Sequence, residues 1–193
     1  PGAKEISISE EIDRVIPVIK FIRKTHPELI LSVDTFRSEV ARSCLDLGVD
    51  IINDISAGCI DKNILDVVAE YNCPYVMMHM RGTPQTMQIN PEYENLIKEL
   101  LIYFAKRIYS AREKGIIDII VDPGFGFGKT LDHNYTIMKK IENFKLLDLP
   151  ILVGISRKSL ITKQLDIDKK DSLNGTTALN MYFLEKNVNI LRV

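Results

Sequence analysis

Short apolar runs alternate with amphipathic segments along the whole chain. The runs recur six times and are rich in β-branched residues: Ile30–Val33, Ile51–Ile52, Tyr75–Met78, Ile117–Val121, Ile151–Ile155 and Ile190–Val193. Strands that are apolar along their whole length are typical of a parallel sheet covered on both faces. The alternation of such strands with helical segments therefore predicts an α/β fold.

The segments between the runs repeat their apolar residues at helical spacing. The repeats are Ile12, Val15, Ile16 and Ile19; Val40, Cys44 and Leu47; Leu65, Val68 and Ala69; Leu96, Leu100, Phe104 and Ile108; and the stretches Tyr135–Ile141 and Leu173–Leu184. Ser7 and Glu10 predict a capping box for the first helix, and Pro17 predicts a kink or a late start there. Gly48 and Gly115 are predicted to end the second and fourth helices.

Polar residues follow nearly every predicted strand. They are Asp34, Asn53 with Asp54, His79, Asp122 and Ser156–Lys158. A barrel active site is assembled in this way, whereas an open doubly wound sheet concentrates its site at one switch point. We therefore expect a TIM-type (β/α)₈ barrel that is incomplete, with about six of its eight strands visible. Residues 1–193 are interpreted as one barrel domain truncated at both ends, because Pro1 is not preceded by Met and Val193 lies within an apolar run.

Composition excludes several classes of protein. The 25 basic and 26 acidic residues are intermixed and give a net charge of -1, so the chain has no basic stripe for nucleic acid. Its apolar runs are far shorter than the roughly 20 residues of a membrane-spanning helix, and we expect no membrane partner. Cys44, Cys59 and Cys73 are widely spaced and odd in number. They are expected to be buried or half-buried thiols in a reducing cytoplasm.

Three polar residues are candidates for binding a ligand. Asp34 could cap the following helix, but Ser38 is an alternative cap that would leave Asp34 for a ligand. Asn53 has the same ambiguity, with Asp54 as the expected structural partner. Asp122 follows an apolar strand, and its carboxylate would be desolvated unless paired. A heterocycle with an amide-like N–H and an amino group would satisfy both of its oxygens.

A glycine-rich loop and several cations complete the candidate chemistry. The stretch Gly124–Thr130 is not a Walker A loop, because Pro123 stands where that motif needs glycine, and it is interpreted as a strand exit close to a ligand. The cations of Ser156–Ser159 can neutralise phosphate or polarise a carbonyl oxygen. Arg192 is expected to be a buried guanidinium with a phosphate as its counter-charge, and His79 a packed side chain.

In order and spacing, these motifs resemble dihydropteroate synthase over the whole chain. The matching stretches are Val33–Thr35, Asn53–Ile55, Met78–Gly82, Asp122–Lys129, Ser156–Ser159 and Ile190–Val193, and Pro1–Ala3 is similar to the end of a family loop. The loop after Asp122 and the Ser-Arg-Lys-Ser stretch are the most specific. The resemblance implies a transferase of folate biosynthesis that condenses 6-hydroxymethyl-7,8-dihydropterin pyrophosphate with 4-aminobenzoate, giving 7,8-dihydropteroate and pyrophosphate.

The resemblance also implies roles for individual residues. Asp34, Asn53 and Asp122 would hydrogen-bond the pterin edge, and Met78 would line the pterin pocket. Lys158 would reach the pterin ring, and with Asp122 it is the expected catalytic pair. The remaining substrate-binding residues would be Phe127, Lys158 and Ser159 for 4-aminobenzoate and Arg192 for the diphosphate.

Some expectations concern what lies outside the visible sequence. The family's Mg²⁺ is associated with an asparagine on a first strand that this chain lacks, so no metal ligand is predicted within the chain. The fragment alone is expected to be unstable and inactive, and the family implies a possible homodimer. The alternatives are a methyltetrahydrofolate:corrinoid methyltransferase-like barrel, which would need no diphosphate site, and a non-catalytic pterin-binding module.

Overall fold

The computed structural model describes residues 5–87 and 89–193, so Pro1–Ala3 and their likeness to a family loop lie outside the described residues. The helices are α1 (Ile8–Thr25), α2 (Ser38–Leu45), α3 (Ile64–Tyr71), α4 (Leu96–Glu113), α5 (Leu131–Lys139), α6 (Ser159–Leu165) and α7 (Leu173–Glu185). The strands are β1 (Ser32–Asp34), β2 (Ile51–Asp54), β3 (Tyr75–Met78), β4 (Ile119–Asp122), β5 (Leu152–Val153) and β6 (Ile190–Leu191). Two 3₁₀ helices span Ile141–Leu147 and Lys169–Asp171.

All six predicted strands form, although β5 and β6 are shorter than their apolar runs. The helix α6 was not predicted, because it is only 7 residues long and buries just Leu160 and Ile161. A single turn or two of helix gives too few apolar repeats for periodicity to detect.

The described residues divide into two compact units. The N-terminal unit contains the residues up to Met78 together with Lys106–Ile120. In it, β1, β2 and β3 pair in parallel and in that order, with Asp34 opposite Asn53. The helices α1, α2 and α3 pack in series in the same unit. The register therefore sets Asp34 and Asn53 side by side, where two neighbouring strands end.

The C-terminal unit contains His79–Ala105 and Val121–Val193. In it, β5 and β6 pair in parallel, and Val121 forms a parallel bridge with Ile151. Because β4, β5 and β6 run in the same direction, the residues that follow each of them lie at one edge. This edge carries the glycine-rich loop, the Ser-Arg-Lys-Ser stretch and Arg192.

Helix ends correct two predictions. The Ser7 hydroxyl accepts from the Glu10 amide at 3.1 Å, which is one of the two bonds of the predicted capping box, while the Glu10 carboxylate accepts from Arg14. Helix α1 already begins at Ile8 and runs through Pro17, so of the two alternatives predicted for this proline the late start is wrong and the kink stays a prediction. Ser38 does not cap α2: the cap is Arg37, and the Ser38 amide donates to the Asp61 carboxylate at 2.7 Å. That capping group comes from a distant part of the chain, so local sequence could not reveal it.

The cysteines also differ from expectation in one case. Cys44 and Cys73 are buried, and burial raises the pKa of each thiol to about 11. Cys59 is exposed, so the expectation of three buried or half-buried thiols is wrong for this residue. Among the helices in the described part of the chain, none combines the length and apolar character needed to cross a membrane.

Candidate active site

Asp122 ends β4 and is almost fully buried, with 3% of its surface exposed. Its Oδ1 accepts from the Gly124 amide at 2.8 Å. Burial raises the pKa of the carboxyl group, and the charges of Lys158, Arg192 and Lys129 partly oppose that rise. The structure thus surrounds a desolvated acid with cations, which suits it to bind a ligand that donates hydrogen bonds.

The loop after Asp122 turns through three glycines with positive φ: Gly124 (72°), Gly126 (82°) and Gly128 (62°). A Cβ on Gly128 would lie 3.0 Å from the backbone N and O of Arg81, so this position also needs glycine for space. The Gly126 amide donates to Asn134 Oδ1 at 2.7 Å, and the Tyr93 hydroxyl donates to the Gly128 carbonyl at 2.8 Å. The hydrogen bonds to Asn134 and Tyr93 and the close packing against Arg81 therefore hold the loop in one conformation.

Lys129 closes the loop and has only 4% of its surface exposed. Its Nζ donates to the carbonyls of Gly124 and Phe127, each at 3.0 Å. It also lies 3.0 Å from Nδ1 and 3.3 Å from the carbonyl of His79. Since an ammonium group can only donate, Nδ1 accepts, and His79 is the neutral tautomer with its proton on Nε2.

Burial is the main cause of the pKa shifts of both Lys129 and His79. Burial lowers the pKa of Lys129 to about 7, with Asp122 raising and Lys158 lowering it. Burial, followed by the charge of Lys129, lowers the pKa of His79 to about 3. His79 also packs edge-on against Tyr103, with ring centroids 4.8 Å apart. The prediction that His79 is a packed side chain is confirmed.

Lys158 follows β5 and immediately precedes α6. Its Nζ donates to the Phe125 carbonyl at 2.7 Å and lies 4.9 Å from the centre of the Phe127 ring. Burial lowers the pKa of this half-buried lysine to about 8, while the charge of Asp122 opposes the shift and that of Arg192 adds to it. The glycine-rich loop thus contacts Lys158 through both a carbonyl and an aromatic face.

A cavity of about 870 Å³ opens beside these residues in the C-terminal unit. Its lining consists of Met87, Pro91, Phe125, Gly126, Phe127, Lys129, Thr130, Leu131, Asn134, Ser156, Arg157, Lys158, Ser159, Leu160, Thr162, Lys163 and Lys169. Five of these side chains are cationic, and within the described part of the chain no acidic residue lines the cavity. The predicted residues Phe127, Lys158 and Ser159 all line it. Apolar walls with an excess of positive charge suit a flat aromatic anion.

Arg192 lies beyond β6 and is exposed, so the expectation of a buried guanidinium within the last strand is wrong. The strand ends at Leu191, and the Arg192 amide donates to the Val153 carbonyl at 2.9 Å. The guanidinium lies over Gly154, where an added Cβ would be 3.2 Å from its Nε. Its charge acts on both Asp122 and Lys158, so the structure does bring Arg192 to the predicted group of residues.

In the N-terminal unit, Asn53 Nδ2 donates to Asp34 Oδ1 at 2.5 Å. This bond directs Asn53 Oδ1 away from Asp34, and the oxygen is buried without a hydrogen-bond partner. A buried acceptor left without a donor is costly unless a ligand supplies one. Met78, the last residue of β3, is 2% exposed.

Asp54, in contrast to its neighbour Asn53, has a structural role, as predicted. It is fully buried, and its Oδ1 accepts from the amide and hydroxyl of Ser56. Its Oδ2 accepts from the Gly58 amide and the Tyr75 hydroxyl, both at 2.6 Å. Asp54 thus stabilises the loop after β2.

Two residues of the cavity were named from the sequence only within motifs: Arg157 as one of the two cations of Ser156–Ser159, and Lys129 as part of the glycine-rich stretch. Arg157 is exposed and has a positive φ of 53°, and its amide donates to the Thr176 hydroxyl at 3.1 Å. A non-glycine residue in this conformation often marks a functional site. Lys129 was quoted only as part of a motif, because nothing in the local sequence indicates that a lysine will be buried.

The described residues do not fit a metal site. Across residues 5–87 and 89–193, no group of three or more His, Cys, Asp and Glu side chains could hold a metal ion. That the ligand of the Mg²⁺ implied by the resemblance lies outside this chain stays a prediction.

The comparisons with known proteins identify the family. A family model described as "Pterin binding enzyme" matches residues 1–193, and the chain belongs to this family of pterin-binding enzymes. Several dihydropteroate synthases are similar to this chain. The enzyme of Synechocystis is 41% identical over 196 residues, which cover 100% of this chain and 68% of the relative.

Solved structures of dihydropteroate synthases have a fold similar to that of this chain. A Yersinia pestis dihydropteroate synthase, described in a sulfonamide drug complex, has a TM-score of 0.95 at 34% identity and covers 100% of this chain and 70% of its own. A Clostridium difficile dihydropteroate synthase, described in the presence of pteroic acid, has a TM-score of 0.93 at 33% identity and covers 100% and 72%. The α/β fold of the TIM-barrel family and the expected function, dihydropteroate synthase in folate biosynthesis, are both confirmed.

Proposed function

We propose that the cavity beside Lys158 receives 4-aminobenzoate during condensation with 6-hydroxymethyl-7,8-dihydropterin pyrophosphate. The observation that carries this proposal is the lining of five cations and several apolar side chains, with no acidic residue among the described ones. The carboxylate of 4-aminobenzoate would lie among the cations, and its ring would contact Phe127. Lys158 and Ser159 would line the same site.

The pterin is proposed to bind the polar residues at the strand ends. Asp122 would accept hydrogen bonds from the ring N–H and the amino group. These bonds would offset the free-energy cost of burying its carboxylate. Asn53 Oδ1 would accept from a pterin donor, because it is buried and lacks a partner in the protein. Asp34 would help to orient that amide, and Met78 would line the pterin pocket.

The cations are proposed to assist the loss of pyrophosphate. Departure of this group leaves a methylene cation stabilised by the pterin, which must be sheltered from water until the arylamine attacks. Arg192 would bind the anionic diphosphate, and Lys158 would contact the pterin ring. The neutral arylamine needs no strong base, so positioning and electrostatic stabilisation would supply most of the rate enhancement.

Three further proposals rest on the resemblance. Mg²⁺ would be held by a residue outside this chain, and no step proposed here depends on it. A homodimer would use the late helices, where Leu173, Met181 and Leu184 of α7 are exposed. The whole of residues 1–193 would act as one domain of a cytoplasmic enzyme, supported by a single family match over that range.

The test is pyrophosphate release by the full-length protein, with and without 4-aminobenzoate. Release that depends on the arylamine and disappears in Lys158→Ala and Asp122→Ala is expected, with Lys139→Ala on the exposed end of α5 as the matched control. Methyl transfer to a cobalamin would instead indicate the methyltransferase-like alternative. Pterin binding without turnover would indicate a non-catalytic module.

A further inference from the structure

The ammonium group of Lys129 is buried in an unusual environment. Its hydrogen-bond acceptors are two carbonyls of the glycine-rich loop and the ring and carbonyl of His79, while the Asp122 carboxylate acts on it through its charge and raises its pKa. Burying an ammonium group is costly, and an apolar side chain of similar shape would often be tolerated as well or better. A lysine at this position therefore needs a reason beyond stability.

The contacts of Lys129 link the loop to His79. It bonds the carbonyls of Gly124 and Phe127, which are the two ends of a turn closed by the Phe127 amide donating to Gly124 at 3.0 Å. The same Nζ bonds His79, the residue that follows β3. The three glycines leave the loop backbone free to adopt other conformations, so these bonds select one of them.

The loop conformation in turn sets the position of Lys158. Lys158 Nζ bonds the Phe125 carbonyl at 2.7 Å and lies over the Phe127 ring. Both contacts are made by residues inside the turn that Lys129 holds. A change in the loop would therefore move the two residues proposed to contact 4-aminobenzoate.

We infer that Lys129 is a positioning residue, which holds Phe125–Phe127 so that Lys158 and Phe127 together form the arylamine site. The inference rests on the proposed function of the cavity. Lys129 bonds the loop itself, whereas it acts on the proposed pterin-binding residue Asp122 only through its charge, which is the smallest of the named effects on the pKa of that carboxyl group. Its loss should therefore affect the two substrates unequally.

The test compares Lys129→Met with the matched control Lys139→Met in the full-length protein. For Lys129→Met we expect kcat/KM for 4-aminobenzoate to fall at least about 30-fold, while the KM for the pterin substrate changes less than about threefold. The alkaline limb of kcat/KM should also move to higher pH, because Lys158 would become better solvated while the charges of Asp122 and Arg192 stay nearby. Lys139→Met should match the wild type.

A second variant keeps the inference testable if Lys129→Met does not fold. Lys129→Gln keeps two N–H donors without the charge and should show the same imbalance between substrates to a smaller degree. A lower melting temperature with unchanged kinetic constants per folded site would overturn the inference, as would equal effects on both substrates. If the wild type itself releases no pyrophosphate, the proposed function fails, and binding of 4-aminobenzoate to wild type and Lys129→Met still decides the role of Lys129.

Discussion

In the candidate active site, the ammonium group of Lys158 lies over the ring of Phe127, with Nζ 4.9 Å from the ring centre. The two residues come from different loops, one after β4 and one after β5. Their contact joins a cation to an aromatic surface in a cavity of about 870 Å³. This pairing gives the site both charge and a flat apolar wall.

Lys158→Met should remove most of the arylamine-dependent turnover. The small activity that remains should no longer fall at alkaline pH. The pKa of Lys158 is lowered to about 8, so the protonated form is lost as pH rises through that value. In the wild type, kcat/KM for 4-aminobenzoate should fall about tenfold per pH unit above about 8. Steady-state kinetics between pH 6.5 and 9.5 measure this limb, and a wild-type profile that stays flat to pH 9.5 would contradict the assignment.

Asp122→Asn should weaken pterin binding at least about 100-fold, because two hydrogen bonds to a charged acceptor are replaced by one acceptor and one donor. The Asn side chain can still accept from the Gly124 amide, so the loop should remain in place. Calorimetric titration with the pterin substrate measures the loss. Asp132→Asn, an exposed acid in the first turn of α5, is the control. Wild-type affinity in Asp122→Asn would exclude a role in pterin binding.

His79 should make the protein sensitive to acid. Its pKa is lowered from 6.5 to about 3 in the folded protein, so between these values the unfolded chain binds one more proton. The free energy of unfolding should therefore fall with falling pH, by about 1.4 kcal/mol per pH unit from this group. Urea denaturation of His79→Gln should show a shallower acid slope than the wild type, with the exposed His26→Gln as the control. Equal slopes in wild type and His79→Gln would refute the prediction.

Gly128→Ala should be more harmful than Gly115→Ala, although both residues have positive φ. A Cβ at Gly115 meets nothing within 4 Å, whereas one at Gly128 lies 2.9 Å from Arg81 Cβ. We expect a cost of about 1 kcal/mol for Gly115→Ala from backbone strain alone, and about 2 to 3 kcal/mol for Gly128→Ala. Thermal denaturation and kinetics should show that only Gly128→Ala also impairs use of 4-aminobenzoate. Equal losses of stability in the two variants would mean that Arg81 moves to make room for the new Cβ without a measurable cost.

Ser7→Ala should destabilise the protein by about 1 kcal/mol, because the Glu10 amide loses its capping acceptor. Ser43→Ala is the matched control. Its hydroxyl donates to the Glu39 carbonyl within the same helix, so its loss should change stability by less than about 0.5 kcal/mol. Chemical denaturation compares the two, and an equal effect of both variants would argue against the cap.

Much of the architecture could be predicted from the sequence because it depends on local patterns. The run Tyr75–Met78 coincides with β3, and the Ser7 cap follows from residues three apart. Asp54 was predicted as the structural partner of Asn53, and it bonds Ser56 and Gly58 nearby. The motifs after Asp122 and around Lys158 were sufficient to indicate the family.

Other features depend on residues that meet only after folding. Asp61 caps α2 in place of Ser38, and Arg192 lies exposed over Gly154, outside the last strand. Arg157 takes a left-handed conformation, and its amide bonds Thr176 from α7. In each case the residue in contact lies far away in the sequence, so local patterns cannot reveal it.

The clearest division concerns two lysines of the same cavity. The sequence by itself determined the six strands, the helices other than α6, the position of polar residues at strand ends and the candidate role of Lys158, because periodicity and motifs depend on residues close together in the chain. Only the tertiary structure decided that Lys129 is buried against His79 and the glycine-rich loop. Burial is a property of the packed chain, and the free-energy cost of burying a charge, with the contacts that offset it, exists only there.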